Sequence, residues 1–129
     1  AKYLTDIPGS SEYLLGGVVA YDDAVKTGLL GVSGEVLARH GAVSREVAEQ
    51  MARGAAQTIG ADRAVSTTGV AGPAGGSEAK PVGLVYIGCA LGDVTEVQEL
   101  RLFGGRTQIR ERAALSALDL LRRRLVRLP

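Results

Sequence analysis

The sequence contains only one cysteine, Cys89, among its 129 residues. A single thiol cannot close an intrachain disulfide, which argues against a small secreted domain held together by disulfide bonds and favours a reducing compartment. Because Cys89 lies inside an apolar stretch, we expect it to be a small buried side chain and not a reactive thiol. We therefore expect a cytoplasmic protein.

The chain also lacks an excess of charge and a long apolar run. Its 15 Lys and Arg residues stand against 14 Asp and Glu residues, and the formal net charge of +1 supplies no strong field for nucleic acid or an anionic membrane. No apolar run approaches the roughly 20 residues that span a bilayer, and residues 1–4 lack the apolar stretch of a signal peptide. The arginines of residues 122–127 are explained by the favourable interaction of cations with the C-terminal end of a helix. The sequence therefore predicts neither nucleic acid nor a membrane as a partner.

What the chain does have is enough apolar residues for one ordinary domain. It is 46% hydrophobic over 129 residues, which suffices to bury a core. Its 18 glycines fall at turns and form no low-complexity tract. No repeat or linker divides the sequence, so we expect a single domain over residues 1–129.

Apolar periodicity predicts strands that alternate with helices. The β-branched run at residues 16–21 is bounded by glycine and aspartate, as a buried strand would be. Asp22, Ser33 and Ser44 are each placed to cap a following helix. The predicted strands are residues 18–21, 64–68, 82–91 and 94–102, and the predicted helices are residues 24–30, 33–39, 44–59 and 108–126, with residues 1–4 as the end of another. This order predicts an α/β fold, a three-layer α/β/α sandwich with a mixed sheet.

The most informative segment for function is the glycine-rich stretch at residues 66–83. Thr67 and Thr68 end a predicted strand, and the glycines that follow allow a ligand to approach backbone N–H groups. An anion or an amide carbonyl is recognised in this way. The alternative is an ordinary Gly/Pro connection between two strands, and the residues alone leave both interpretations open.

Four ordered stretches resemble one protein family. They are TDIPGSS at residues 5–11, GVVAY at residues 17–21 continuing to Lys26, HGAVS at residues 40–44, and TGVAGP at residues 68–73 continuing to KPVG at residues 80–83. Together they resemble the C-terminal domain of CinA proteins and the stand-alone nicotinamide-mononucleotide amidohydrolases of the PncC type. The resemblance extends over essentially the whole chain.

The resemblance implies an enzyme of nicotinamide nucleotide salvage. Its reaction is hydrolysis of the carboxamide of nicotinamide mononucleotide to nicotinate mononucleotide and ammonia, with a serine nucleophile, a lysine base, no metal and no cofactor. Carried over by motif, the lysine is Lys26. A lysine amine in its neutral form can accept a serine proton and later deliver it to departing ammonia. Without the resemblance, Lys26 would be interpreted as a solvated helix lysine.

The resemblance also implies a set of substrate contacts. Tyr21 either orients the substrate or lysine or satisfies a hydrogen bond of the core. Thr67 and Thr68 are expected to bind the amide, and Arg106 a substrate phosphate. The backbone amides expected to hold an oxyanion or phosphate are those of Gly69, Gly72, Gly75 and Gly76. His40 receives no catalytic part, and we expect it to cap or pack a helix end.

The sequence departs from the family pattern in two places. The family's serine lies in a segment close to Ala-Glu-Ser-Cys-Thr-Gly-Gly, which the printed sequence does not contain, and neither Ser10 nor Ser11 matches it. We therefore assign no nucleophile, and we expect the chain to be N-terminally incomplete because it begins in the middle of a helical pattern. The turn at residues 103–107 lacks the Asp that relatives carry before the arginine.

Two other classes of function stay open. One is a nucleotide-binding domain without turnover, which would use the same pocket without a nucleophile. The other is an interaction domain of a longer competence- or damage-inducible protein. Because an incomplete domain exposes apolar surface, we also expect a homo-oligomer.

Overall fold

The computed structural model describes residues 1–128, in which five α-helices and three β-strands follow one another along the chain. Serine and aspartate side chains start the three middle helices, as the sequence predicted: Asp22, Ser33 and Ser44 each accept a hydrogen bond from a backbone N–H of the following helix. The helices are α1 (Lys2–Thr5), α2 (Asp23–Leu30), α3 (Gly34–His40), α4 (Arg45–Ile59) and α5 (Arg106–Leu125), and the strands are β1 (Arg63–Gly69), β2 (Leu84–Leu91) and β3 (Val94–Arg101). A short 3₁₀ turn, Ser10–Glu12, follows α1.

The sheet has three strands in the order β1-β2-β3, and both pairings are antiparallel. The predicted mixed sheet is therefore wrong in detail. The predicted strand at residues 18–21 pairs with no strand in the described part of the chain. Its apolar alternation has another cause, because Val18 and Ala20 pack against a helical core while Val19 is 86% and Tyr21 is 85% exposed.

Helices cover both faces of the sheet, which confirms the predicted three-layer α/β/α arrangement. On one face, residues of β2 pack against α5; the buried cluster is Val85, Ile87, Cys89, Ile109, Ala113, Ala117 and Leu120. On the other face lies α4, where the Ser66 hydroxyl donates a hydrogen bond of 2.6 Å to the Ala48 carbonyl. Gly88 lies beside this bond, and a Cβ there would come within 2.6 Å of the Ala48 oxygen. The close packing of α4 on the sheet therefore requires glycine at this position.

A second core lies between α2, α3 and α4. Leu30, Val32, Val47 and Met51 are its buried members. Helix α2 ends at Gly31, whose φ of 65° is left-handed and suits glycine. Helix α2, which carries the predicted base, is thus fixed to the sheet through α4.

No helix among residues 1–128 combines the length and the apolar character needed to cross a membrane.

Candidate active site

The site lies at the free edge of β1, beside which residues 1–128 form no further strand. A cavity of about 540 Å³ opens there, within the range of about 300–1,000 Å³ that small-molecule sites occupy. The start of α2 and the turn between α3 and α4 line it on one side, and the first turns of α5 line it on the other. Six of the predicted site residues line this cavity: Tyr21, Lys26, Thr67, Thr68, Gly69 and Arg106.

Lys26 is buried on the inner face of α2, with 6% of its surface exposed. Leu30 lies one turn later on the same face and packs into the second core, so Lys26 is held on the same side of the helix. Its Nζ donates to the Ala20 carbonyl at 2.9 Å and lies 3.4 Å from Asp23 Oδ1. A buried ammonium needs such partners, because removing a charge from water without them is costly. Two oxygens therefore fix the amine in the wall of the cavity.

Tyr21 lies at the mouth of the cavity, directly before the cap residue Asp22. Its side chain is 85% exposed, so it satisfies no hydrogen bond of the core. The structure therefore contradicts the alternative in which Tyr21 is a core residue. A ligand in the cavity would lie within reach of an exposed aromatic ring, which can contribute both apolar surface and a hydroxyl.

Two consecutive threonines of β1, Thr67 and Thr68, line the cavity, and their side chains lie on opposite faces of the strand. Thr67 is exposed, whereas Thr68 is 8% exposed and its Oγ1 donates to the Ala42 carbonyl at 2.7 Å. That bond ties the α3–α4 turn to the strand. Because the Thr68 proton is already donated, its hydroxyl oxygen is left as an acceptor towards the cavity.

Three of the predicted glycines do not line the cavity: Gly72, Gly75 and Gly76. Their expected direct contact with substrate is not supported, since Gly72 and Gly76 pack against Val82 instead, where a Cβ would come within 2.5 Å and 2.9 Å of its side chain. Tight packing against Val82 therefore explains Gly72 and Gly76, whereas Gly75 has open space beside it and a left-handed φ of 89°. Gly72 still contributes indirectly, because its carbonyl accepts a hydrogen bond of 2.8 Å from Arg106 Nη1.

The α5 side of the cavity carries a second arginine that the sequence analysis missed. Arg106 is the first residue of α5 and Arg110 lies one turn later, and both line the cavity. Residues four apart in a helix are neighbours on its surface. The i, i+4 spacing of two arginines at a helix start was the available signal. The sequence analysis also missed Asp23 as a cavity residue, although its i, i+3 spacing to Lys26 places the two side chains next to each other on α2.

Lys80 fixes the glycine-rich loop from outside the cavity. Its Nζ donates to the carbonyl of His40, the last residue of α3, and so joins the loop to the α3–α4 turn. The His40 ring lies with Nδ1 3.8 Å from Glu46 Oε2 and does not line the cavity. This placement agrees with a packing role at the end of α3.

Neither serine nor cysteine lines the cavity in the part of the chain that the structure describes. Ser10 is buried away from it, and Cys89 is buried in the sheet. Residues 1–128 also contain no group of three or more His, Cys, Asp or Glu side chains that could hold a metal ion. The arrangement thus offers an amine, hydroxyls and two guanidinium groups around a space of ligand size.

Residues 1–125 match the CinA C-terminal domain. A CinA-like protein of Mycolicibacterium gilvum is 54% identical over 126 residues, which are 97% of this chain and 30% of that protein. A putative competence-damage inducible protein of Moorella thermoacetica is 51% identical over 125 residues, again 97% of this chain and 30% of that protein. The chain thus spans less than a third of the length of these curated relatives.

Solved structures agree with the match. The competence/damage inducible protein CihA from Agrobacterium tumefaciens superposes with a TM-score of 0.89 at 44% identity, over 93% of this chain and 74% of that one. The competence damage-inducible protein A (ComA) from Klebsiella pneumoniae gives a TM-score of 0.94 at 30% identity, over 99% and 80% of the two chains.

Proposed function

The chain belongs to the CinA C-terminal domain family, and from this membership and the lining of the β1-edge cavity we propose that it forms the substrate-binding and proton-transferring part of an amidohydrolase. The substrate is a nucleotide carboxamide, and we propose nicotinamide mononucleotide. Water replaces ammonia at the carboxamide carbon, and the product is nicotinate mononucleotide.

The observation that carries the proposal is the position of Lys26. A lysine that is 6% exposed and whose Nζ lies in the wall of a ligand-sized cavity is placed to exchange protons with a bound molecule. Asp23 and the Ala20 carbonyl hold the amine in one place, which proton transfer requires. An ordinary solvated lysine would have neither the burial nor the fixed geometry.

The other lining residues fit the two ends of such a substrate. The Thr68 hydroxyl oxygen can accept a hydrogen bond from the carboxamide NH₂, since its own proton goes to Ala42. Arg106 lines the opposite side of the cavity. One of its N–H groups donates to the Gly72 carbonyl, and the remaining N–H groups of the guanidinium can bind the phosphate. The exposed ring of Tyr21 can pack against the pyridine.

The nucleophile is proposed to come from outside the residues described. A serine hydroxyl attacks the carboxamide carbon and gives its proton to the neutral form of the Lys26 amine. The C–N bond then breaks, and the ammonium so formed delivers that proton to the leaving nitrogen, which departs as ammonia. Water then hydrolyses the acyl-serine ester to release the carboxylate. Since this chain spans 30% of its curated relatives, a segment joined to it in a longer protein can supply the serine.

A nucleotide-binding domain without turnover is the second candidate. It is favoured by the absence of serine and cysteine from the cavity lining within residues 1–128. Without a nucleophile the covalent route is closed, and the same cavity binds a nucleotide without cleaving it. We propose this behaviour for the 129-residue chain when it is isolated from any longer protein.

Ammonia release from nicotinamide mononucleotide separates these candidates. We expect the longer protein to release ammonia in the presence of a metal chelator, and Lys26→Met to lower the rate by about 10²–10⁴, as loss of a general base does. Lys2→Met is the matched control, because Lys2 is exposed and its one ion pair within the described residues 1–128 is with Asp6 at the surface. We expect the isolated chain to bind the nucleotide in a calorimeter and release no ammonia.

Two results would overturn the proposal. One is a Lys26→Met protein with the rate of Lys2→Met. The other is an isolated 129-residue chain, of confirmed mass, that releases ammonia as fast as the longer protein. The cytoplasmic location and the homo-oligomer stay predictions, to be checked by cell fractionation and by sedimentation of the purified protein.

A further inference from the structure

Arg110 has no role in the hydrolysis described above, yet it lies in the wall of the cavity. It follows Arg106 by one turn of α5, so the two Cβ atoms are about 5–6 Å apart on one helix face. Arg106 is held in place by its hydrogen bond to the Gly72 carbonyl. Arg110 makes no hydrogen bond to another residue in the range 1–128, and its guanidinium is exposed on the cavity side.

The charges of the cavity are unevenly distributed. Its lining contains three cations, Lys26, Arg106 and Arg110, and one carboxylate, Asp23. Asp23 lies 3.4 Å from Lys26 Nζ, so the amine end of the cavity has a counter-charge. Neither Arg106 nor Arg110 lies within 4.0 Å of a carboxylate of residues 1–128, which leaves two unpaired positive charges at the α5 end.

This pattern contrasts with the three arginines at the C-terminal end of α5. Arg122 and Arg123 both pair with Asp119, and Arg124 pairs with Glu96. These three arginines have acidic partners and the exposed Arg112 donates to the Phe103 carbonyl, whereas neither arginine that faces the cavity has a carboxylate partner within residues 1–128. A guanidinium presents its N–H donors in a fork that matches the oxygens of a phosphate.

We propose that Arg110 acts with Arg106 as a clamp for a terminal phosphate monoester, and that Arg110 makes the site specific for mononucleotides. The inference rests on the proposed function in taking the ligand to be a nicotinamide nucleotide. A phosphate monoester carries a charge of about −1.5 to −2 at pH 7, which two guanidinium groups neutralise. Each phosphate of a dinucleotide carries a single charge, and a nucleoside carries none, so both bind less tightly.

Direct binding to the full chain tests the clamp. Calorimetry with nicotinamide mononucleotide, nicotinamide riboside and inorganic phosphate is compared for the unaltered chain, Arg110→Gln, Arg110→Lys and Arg123→Gln. Arg123→Gln is the matched control, because it removes one arginine of the same helix about 20 Å away from Arg110 along the helix axis. Thermal unfolding shows that each variant is folded.

We expect Arg110→Gln to weaken binding of the mononucleotide about tenfold, which is the loss of one charge-assisted contact discounted for solvent. The affinity for the riboside should not change, and Arg110→Lys should restore part of the loss because it keeps the charge but not the fork. Arg123→Gln should bind all three ligands as the unaltered chain does. Inorganic phosphate should bind more weakly than the mononucleotide and lose affinity in Arg110→Gln.

Three results would overturn the clamp. The first is that Arg110→Gln binds the mononucleotide as tightly as Arg123→Gln does. The second is that Arg110→Gln loses as much affinity for the riboside as for the mononucleotide. The third is that inorganic phosphate binds the unaltered chain as tightly as the mononucleotide does. None of these measurements uses ammonia release. Failure of the hydrolase proposal would therefore show as absent turnover, and failure of the clamp as unchanged binding.

Discussion

Replacing Gly54 by alanine should raise the helix propensity of α4 but create a steric clash with α2. The structure predicts that the clash costs more than the propensity gains, so that the variant is less stable. Gly54 lies in the middle of α4, where alanine is favoured over glycine by about 1 kcal/mol in an isolated helix. A Cβ at Gly54, however, would lie 1.8 Å from the Leu30 carbonyl oxygen at the end of α2. The obstacle is backbone, so no change of rotamer can relieve it.

The cost follows from the size of that overlap. Ordinary contact begins at 3.4 Å, so α2 must retreat by about 1.6 Å to accept the methyl group. Its retreat opens the core around Leu30, Val47 and Met51. Overpacking costs about 1–3 kcal/mol, and we take the upper end because the backbone must move. After the gain of about 1 kcal/mol in propensity, the net loss is about 2 kcal/mol, or a fall in Tm of about 8 °C.

Gly28→Ala is the control, because it makes the same change on the exposed face of α2. A Cβ at Gly28 would meet nothing within 4 Å, and its φ is not positive. We expect this variant to gain up to about 1 kcal/mol. Urea unfolding of both variants measures the free energies of unfolding. If Gly54→Ala were stabilised as much as Gly28→Ala, the packing of α2 on α4 would not be as described.

Two further predictions concern groups outside the cavity. The Tyr86 hydroxyl donates a hydrogen bond of 2.7 Å to Glu99, and this bond lowers the pKa of the Glu99 carboxyl. The ionised carboxylate therefore stabilises the folded chain, and this stability is lost as the pH falls through the lowered pKa. Tyr86→Phe should raise the pKa of Glu99, measured from the side-chain carboxyl carbon in an NMR titration. An unchanged pKa would contradict the hydrogen bond from Tyr86 as its cause. Burial raises the pKa of the Cys89 thiol, which is 0% exposed. A thiol reagent should therefore modify Cys89 only as the chain unfolds, and modification of the native protein at the rate of a small free thiol would contradict its burial.

Local signals in the sequence were sufficient to predict most of the fold. The caps Asp22, Ser33 and Ser44 start helices, because a side-chain oxygen placed before a helix satisfies an N–H whatever surrounds it. Gly92 and Asp93 lie between the predicted strands at residues 82–91 and 94–102, and they join β2 to β3 in an antiparallel hairpin. The amphipathic pattern of residues 44–59 gave α4 to within one residue.

What could not be predicted depends on contacts between distant segments. The alternation of residues 18–21 indicated burial of every second side chain, and that burial exists, but alternation does not show whether a partner strand lies alongside. The same limit applies to the glycines of the loop. Glycine is needed where a ligand approaches the backbone closely, and also where a side chain such as Val82 does so. The sequence alone does not distinguish these two causes at Gly72.

The glycine-rich loop connects the elements around the cavity more than it lines the cavity. Lys80 joins it to the end of α3 through the His40 carbonyl, and Gly72 joins it to α5 through Arg106. Thr68 adds a bond from β1 to the α3–α4 turn at Ala42. These three bonds attach the wall on the amine side and the wall on the arginine side to one short segment. The proposed substrate has a carboxamide at one end and a phosphate at the other, so it needs both walls at a fixed separation. These three bonds can set that separation, in addition to the contact proposed for Thr68.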